Sequence, residues 1–160
     1  MQHITFQNRI DAGQQLAERL LDLRDQANTI VLALPRGGVP VAAEVARAIN
    51  APLDVLLVRK IGVPGREELA MGAIASGGHI VLDHDLIHDL AVPEHAVQQT
   101  IERETEVLHQ REQLYRGDRP LPYLRDQTVV IIDDGLATGS TMLVAIRAVK
   151  QQQPAQIIVG

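Results

Sequence analysis

The stretch Val129-Val130-Ile131-Ile132-Asp133-Asp134-Gly135-Leu136-Ala137-Thr138-Gly139-Ser140-Thr141 constrains this chain more than any other. Branched apolar residues come first, then two carboxylates, then a run of small and hydroxyl residues. An amphipathic run from Met142 to Lys150 follows directly. The order implies a buried strand, an acidic edge, a tight loop and the start of a helix. Such a loop can aim backbone N–H groups at an anion, and the dipole of the following helix adds to the attraction. Two adjacent carboxylates at a buried strand end repel each other and lose hydration, so they require a partner: sugar hydroxyls or a metal ion. A ligand carrying a phosphate, a ribose and a bound cation answers both halves.

The rest of the chain supplies a scaffold for such a loop. Asn8 followed by Asp11 marks a helix start, and Ala12, Leu16, Leu20 and Leu23 recur at helical spacing. Thr29 to Leu34 is a short apolar run suited to a strand buried on both faces. Pro35-Arg36-Gly37-Gly38 ends it as a loop, and Pro40 stands where a first-turn proline belongs. Val41, Val45 and Ile49 form the stripe of a second helix, closed by Asn50-Ala51-Pro52. Leu53 to Val58 then predicts a second buried strand ending in Arg59-Lys60, so residues 29–58 read as a parallel, right-handed strand–helix–strand unit. Ile61 to Leu69 is polar, contains glycine and lacks periodicity, which predicts a mobile loop. Ala70–Ala75 and His79–Leu82 flank Ser76-Gly77-Gly78 as a hairpin. A short helical turn is expected over Asp85–Leu90, a long helix from Pro93-Glu94 to about Tyr115, a linker over 116–126, and further helix and strand over 139–151 and 156–159. Strands alternating with helices predict an α/β sheet, in which ligands bind at the carboxyl ends of the strands.

Composition narrows the function classes. At 160 residues one domain is expected, and the absence of cysteine removes disulfide and thiol chemistry. A net charge of −5 argues against general nucleic-acid binding. Met1 to Arg9 is too polar for the apolar core of a signal peptide, and no apolar run reaches membrane-spanning length. A cytoplasmic protein with no nucleic-acid and no membrane partner is expected.

Three predicted strand ends carry unusual residues: 35–38, 59–60 and 133–141. A nucleotide-hydrolysing P-loop needs Gly-Lys-Ser/Thr, but Gly139-Ser140-Thr141 has no lysine there, and no Gly-x-Gly-x-x-Gly fingerprint occurs. The bland alternative is an ordinary strand-to-helix turn capped by Thr138; Asp133 and Asp134 weigh against it. Gly37 and Gly38 permit close backbone approach to a ligand, and Arg36 could fork onto a phosphate, although a plain glycine turn is the alternative. Arg59 and Lys60 are a solvated strand end or, facing the 35–38 loop, a site for a more highly charged phosphate group. His79, His84 and His88 fall close together, but their spacing matches no standard zinc site.

The segment Val130 to Thr141 is similar to the signature of the type I phosphoribosyltransferases, which use 5-phosphoribosyl-1-pyrophosphate (PRPP). Leu34-Pro35-Arg36-Gly37-Gly38 resembles the family's pyrophosphate loop, and Val58-Arg59-Lys60 resembles the basic end of its second strand. With Phe6-Gln7-Asn8-Arg9, the whole chain resembles a bacterial phosphoribosyltransferase-like subgroup. The resemblance implies a three-layer α/β/α fold with a mostly parallel sheet in an order resembling 3-2-1-4-5. It implies one domain over 1–160, with a mobile loop and hairpin at about 61–82 and a helical insertion at about 94–115. It further implies that Asp133 and Asp134 bind the ribose hydroxyls and that Ala137, Thr138, Gly139, Ser140 and Thr141 hold the 5-phosphate. Arg36, Gly37, Gly38 and Lys60 would hold the pyrophosphate beside Arg59, with Asp133, Asp134 and Lys60 forming the catalytic set. Magnesium would be bound mainly through PRPP and water, with no protein metal cage. The acceptor would be a small nitrogenous base, with pyrophosphate released. The 61–75 segment would close over the site, with Glu67 and Glu68 on it.

Two departures qualify the resemblance. Ala137 stands where some purine-using members carry an acid, which argues against the hypoxanthine-guanine type. The sequence stops at Gly160 within a strand pattern where family members continue into a base-covering segment, so either a fragment or an incomplete acceptor site is expected, and its apolar Ile157-Ile158-Val159 edge favours a homodimer. A non-catalytic PRPP- or nucleotide-binding regulatory module is therefore the second expectation, and a catalytically dead remnant the third.

Overall fold

The computed structural model describes residues 5–160. Residues 1–4, part of the stretch read as too polar for a signal peptide, lie outside the described residues. The chain divides into two compact units, one comprising Met1–Leu56, Pro122–Ala137 and Val149–Gly160, the other Leu57–Leu121 and Thr138–Ala148.

The first unit is built on a parallel sheet. Its strands are β1 (Thr29–Ala33), β2 (Leu53–Val55), β6 (Thr128–Ile132) and β7 (Gln156–Val159), in the order β2-β1-β6-β7. All neighbouring pairs run parallel. β1 is buried along its whole length, as is β6 from Val129 to Ile132. Each such aliphatic side chain contributes about 1.5–3 kcal/mol on burial. The register pairs Ala33 with Ile132, so the chain leaves β1 and β6 at the same sheet edge. That pairing delivers Pro35–Gly38 and Asp133–Asp134 to one place.

Two helices cover this sheet's core. Helix α1 (Arg9–Arg19) starts at Asn8, whose side chain accepts from the Asp11 N–H at 2.9 Å. Asp11 in turn accepts from the Gln7 N–H at 2.9 Å, so orphan donors at the helix start are satisfied reciprocally. Helix α2 (Gly38–Ile49) ends at Asn50, which takes the left-handed conformation that asparagine tolerates at a helix terminus. Val41, Ala42, Val45 and Ile49 of α2 pack with Val31, Ala33, Val130 and Ile132.

The second unit holds an antiparallel sheet of β3 (Val58–Val63), β4 (Arg66–Ala75) and β5 (His79–Leu82), in that order. It also holds α3 (His84–Asp89), α4 (Glu94–Arg116) and most of α5 (Ser140–Lys150). α4 lies on β3 and β4 and buries Val97, Thr100 and Leu108.

The α/β class and the parallel core are as expected, with two corrections in detail. The strand read as 53–58 is two strands. The Leu56 N–H donates to Ala33 O at 2.9 Å, whereas the Leu57 N–H donates to Ser76 Oγ at 2.9 Å, so the chain changes sheets between these residues. Arg59 and Lys60 therefore lie inside β3 rather than at the end of a parallel strand. The polar stretch 61–69 is not loop throughout: it forms the ends of β3 and β4 around a short turn at Pro64-Gly65, with Gly65 at φ 80°. Burial along β4 rises from exposed Arg66 to buried Ala75 instead of alternating, so no period-2 signal marks the strand.

Candidate functional site

In the first unit the ends of β1 and β6 build a crowded acidic corner. Gly37 faces Asp134: a Cβ there would lie 2.1 Å from Asp134 Oδ2 and 2.7 Å from Oδ1. A Cβ on Gly38 would lie 2.7 Å from Ile132 O and 3.1 Å from Asp133 Cα. Backbone crowding thus requires a glycine at 38, whereas Gly37, at ordinary helical dihedrals, is required only while the Asp134 side chain keeps this position. The Pro35–Arg36 peptide that precedes them is cis.

The two acids are held differently. Asp133 is half-buried, and its Oδ1 accepts the Asp134 N–H at 2.8 Å. Asp134 Oδ2 accepts two bonds from Arg9, Nε at 3.0 Å and Nη2 at 2.7 Å. Burial pushes the Asp133 carboxyl above the usual carboxylate range, and the charge on Asp134 beside it adds to the rise. The Arg9 guanidinium holds Asp134 below that range. No donor N–H from another residue reaches Asp133 Oδ2 or Asp134 Oδ1 among the described residues, and the two carboxyl groups stand close enough to interact with each other. The corner therefore offers two carboxylate oxygens, one from each acid, as acceptors for hydroxyl donors. Two hard oxygens also suit a magnesium ion that keeps water and takes most of its ligands from a bound phosphate. Among the described residues no group of three or more His, Cys, Asp or Glu is arranged to hold a metal.

The chain runs from Asp134 through an exposed loop into α5. Gly139 sits at φ 77°, a left-handed conformation with open space around it, and it lets the loop turn into the helix. Thr138 Oγ1 lies 3.0 Å from Ser140 Oγ and accepts from the Ser140 N–H at 3.3 Å. The N–H groups of Ala137, Thr138 and Gly139 donate to no acceptor among the described residues. Orphan donors ahead of a helix start are the groups that receive an anion.

In the second unit, Lys60 and the residues Ser140 and Thr141 line one cavity of about 570 Å³. Asp83, His84, Asp85 and Arg147 stand around the same cavity, over apolar residues that include Val58, Ala73 and Leu143. Lys60 is exposed and has no ion partner among the described residues. Arg59, its neighbour, is instead paired with Glu104 of α4.

Of the residues singled out in sequence, the structure thus brings together Gly37, Gly38, Asp133 and Asp134 in one unit. It brings together Lys60, Ser140 and Thr141 in the other. Arg36 follows β1 at the same sheet edge as the acids. Arg9 was missed as a site residue. Its signal was a cation in the first turn of a helix, where the dipole disfavours positive charge. Asp83 and Asp85 were not singled out, and His84 was weighed only as a metal ligand; Asp83 caps α3 by accepting from the Leu86 N–H at 3.0 Å.

Comparison with known proteins identifies the family and the fold. Residues 4–160 match the phosphoribosyl transferase domain family. Two Mycobacterium tuberculosis proteins, from strains CDC 1551 and H37Rv, are 42% identical over 155 residues, and their names give phosphoribosyl transferase as a provisional assignment. The match covers 97% of this chain and 35% of those proteins, so the chain spans about a third of their length. The crystal structure of TT1426 from Thermus thermophilus is 40% identical, with a TM-score of 0.80 over 98% of this chain and 74% of that one. A purine phosphoribosyltransferase from Pyrococcus horikoshii shares the fold at 21% identity, with a TM-score of 0.53 over 95% of this chain and 70% of that one. The sequence match and the fold match are of one kind: the chain belongs to the phosphoribosyl transferase domain family.

Proposed function

We propose that this chain binds PRPP with magnesium and transfers its phosphoribosyl group to a nitrogenous base, releasing pyrophosphate. The observation that carries this is the pair of acids at the end of β6, each with one oxygen committed to the protein and one free, followed directly by a loop of unfilled N–H donors. Vicinal hydroxyls and a phosphate on one sugar have the matching donor and acceptor pattern. Asp133 and Asp134 accept from the ribose hydroxyls. Ala137 to Thr141 receive the 5-phosphate through backbone N–H and hydroxyl groups. Arg36, Gly37, Gly38 and Lys60 receive the pyrophosphate. Arg59 is engaged by Glu104, so its part is to brace β3 beside Lys60.

In the reaction the bond from C1 to pyrophosphate oxygen breaks, and pyrophosphate leaves with the electron pair. A base nitrogen supplies the pair for the new C1–N bond, and its proton passes to the departing pyrophosphate or to water. Positive charge develops on the sugar between these events, and the fixed carboxylates at the ribose lie ready to stabilise it. Bound magnesium would neutralise pyrophosphate oxygens, held through the ligand and water, with the free oxygens of Asp133 and Asp134 the nearest carboxylate donors offered by this corner. The 61–75 hairpin, whose exposed tip carries Arg66, Glu67 and Glu68, is the segment proposed to close over the ligand.

A second reading, a PRPP- or nucleotide-binding regulatory module, is favoured by Ala137, which offers no acid to a purine. Calorimetric titration with PRPP and magnesium tests what the two share. Asp134→Asn is expected to weaken binding by about 1–3 kcal/mol, as a charged acceptor becomes a neutral one. Unchanged affinity removes the acids from the site. Pyrophosphate release with any of a panel of bases separates the enzyme from the module.

A further inference from the structure

Arg9 is placed against local electrostatics. It opens α1, where the helix dipole repels a cation, and its side chain is largely exposed. An ion pair this open to solvent adds little to stability. Yet two of its N–H groups converge on the same oxygen of Asp134, at 3.0 and 2.7 Å. The Gly37 backbone packs against the same carboxylate: a Cβ there would lie 2.1 Å from Oδ2 and 2.7 Å from Oδ1. The carboxylate is thus packed against a backbone and held by a guanidinium at Oδ2, while no N–H of another residue reaches Oδ1.

The position of Arg9 is itself fixed by packing. Gly13, one turn further along α1, lies so close to α2 that a Cβ there would be 2.7 Å from Val41 O and 2.8 Å from Glu44 Cβ. The Asn8 cap fixes the first turn. Helix α2 begins at Gly38, beside Asp133. The starts of α1 and α2 therefore meet at the same acid pair. A groove formed by Phe6, Asn8, Arg9, Pro40, Val41 and Asp134 leaves the Arg9–Asp134 contact open to a small solute.

We propose that Arg9 is a positioning residue for the ribose site, clamping Oδ2 of Asp134 so that Oδ1 is presented as the acceptor for one sugar hydroxyl. The inference rests on the PRPP reading. A clamp and a lock differ in geometry. A lock would occupy the oxygen the ligand needs; here a free oxygen remains, so ligand binding does not require Arg9 to leave. Holding the carboxylate in one rotamer before the sugar arrives removes an ordering cost from binding.

Discrimination between sugars tests this. Affinities for ribose 5-phosphate, 2-deoxyribose 5-phosphate and 3-deoxyribose 5-phosphate are measured by calorimetry with magnesium. The proteins are the unmodified chain, Arg9→Gln, Arg9→Lys, Asp134→Asn and the Arg9→Gln/Asp134→Asn double variant. The unmodified chain is expected to prefer ribose 5-phosphate to at least one deoxy sugar by about tenfold, since a site built to bind a hydroxyl rejects the analogue lacking it. Arg9→Gln should erase most of that preference while Arg9→Lys keeps part of it. In the Asp134→Asn background, Arg9→Gln should change nothing further. A general structural role would weaken all three sugars equally and leave the preference intact, which overturns the proposal. Tighter ribose 5-phosphate binding by Arg9→Gln would make Arg9 a lock and overturns it too. Should thermal melting show Arg9→Gln unfolded, Arg9→Lys decides in a folded protein: a sugar preference reduced below that of the unmodified chain supports the clamp, and a preference fully retained overturns it. If the unmodified chain binds none of the sugars and no PRPP, the functional reading itself fails. If it discriminates and Arg9→Gln still does, only the role of Arg9 fails.

Discussion

The acidic corner and the basic strand hold their charges in opposite ways. Asp134 is boxed in by Gly37 on one side and Arg9 on another, and Asp133 is tied to the backbone of its neighbour. Lys60 projects from an exposed position of β3 with no ion partner among the described residues. A carboxylate with two short torsions, held at its tip, can present an oxygen in one direction. A lysine with a long flexible stem keeps its rotamer freedom and acts as a point charge that finds its partner. The first device suits recognition of a hydroxyl pattern; the second suits attraction of an anion. Side-chain length and backbone crowding, more than charge, separate the two roles.

The largest expected break in this contrast comes from the two glycines of the corner. In Gly37→Ala the new methyl meets the tip of the Asp134 side chain, which can swing away, so the fold should survive while PRPP binding falls by at least about tenfold, ~1.4 kcal/mol. In Gly38→Ala the methyl meets the backbone of Ile132 and Asp133, which cannot swing, and overpacking should cost about 1–3 kcal/mol of stability. Urea unfolding and calorimetry on the pair separate the effects; equal stability losses would show that the carboxylate has no freedom to move. Lys60→Gln comes next. Removing an exposed point charge should leave stability within about 0.5 kcal/mol, and weaken magnesium–PRPP binding by about 1 kcal/mol with a reduced dependence on salt. Binding unchanged at low ionic strength would take Lys60 out of the pyrophosphate site.

The smallest effect sharpens the contrast within the acid pair itself. Asp133 is raised by burial, so the folded state holds its proton more tightly than the unfolded chain does. Its contribution to stability therefore falls as pH rises from the ordinary carboxylate value through the raised one. Asp134 has the opposite sign: its contribution is present above the ordinary value and is lost as pH falls through the depressed one. Asp133→Asn, which can still accept the Asp134 N–H, should melt slightly higher than the unmodified chain at pH 7. The difference should close as the pH drops below the ordinary carboxylate value of about 3.9. A lower melting temperature at pH 7 would mean that the Asp133 charge is stabilised by something beyond its neighbour's backbone.

Much of the scaffold was legible because its signals are local. Asn8 and Asp11 announce a helix start, and the continuous apolar runs 29–33 and 129–132 announce strands buried on both faces. Signals that depend on a partner were not legible. The hairpin over 58–75 hid its strands because burial grows along β4 toward Ala75, where a one-sided sheet would alternate. The break at Leu56-Leu57 hid because a polar atom of Ser76, far along the chain, receives the Leu57 N–H. Arg9 hid because the acid it serves lies at the opposite end of the sequence.

The residue types of Asp133 to Thr141, and the apolar strand before them, are properties of the sequence, and they already pointed to the proposed ligand class, an anion combined with hydroxyls or a metal. The free and committed oxygens of the acids were decided by tertiary structure. Only the parallel register of Ala33 with Ile132 brings Gly37 against Asp134, and only the close approach of α1 to α2 at Gly13 brings Arg9 there. Sequence sets which groups are available within a few bonds. The direction in which a carboxylate oxygen points is set by whatever folds against it, and here those atoms come from three separate parts of the chain.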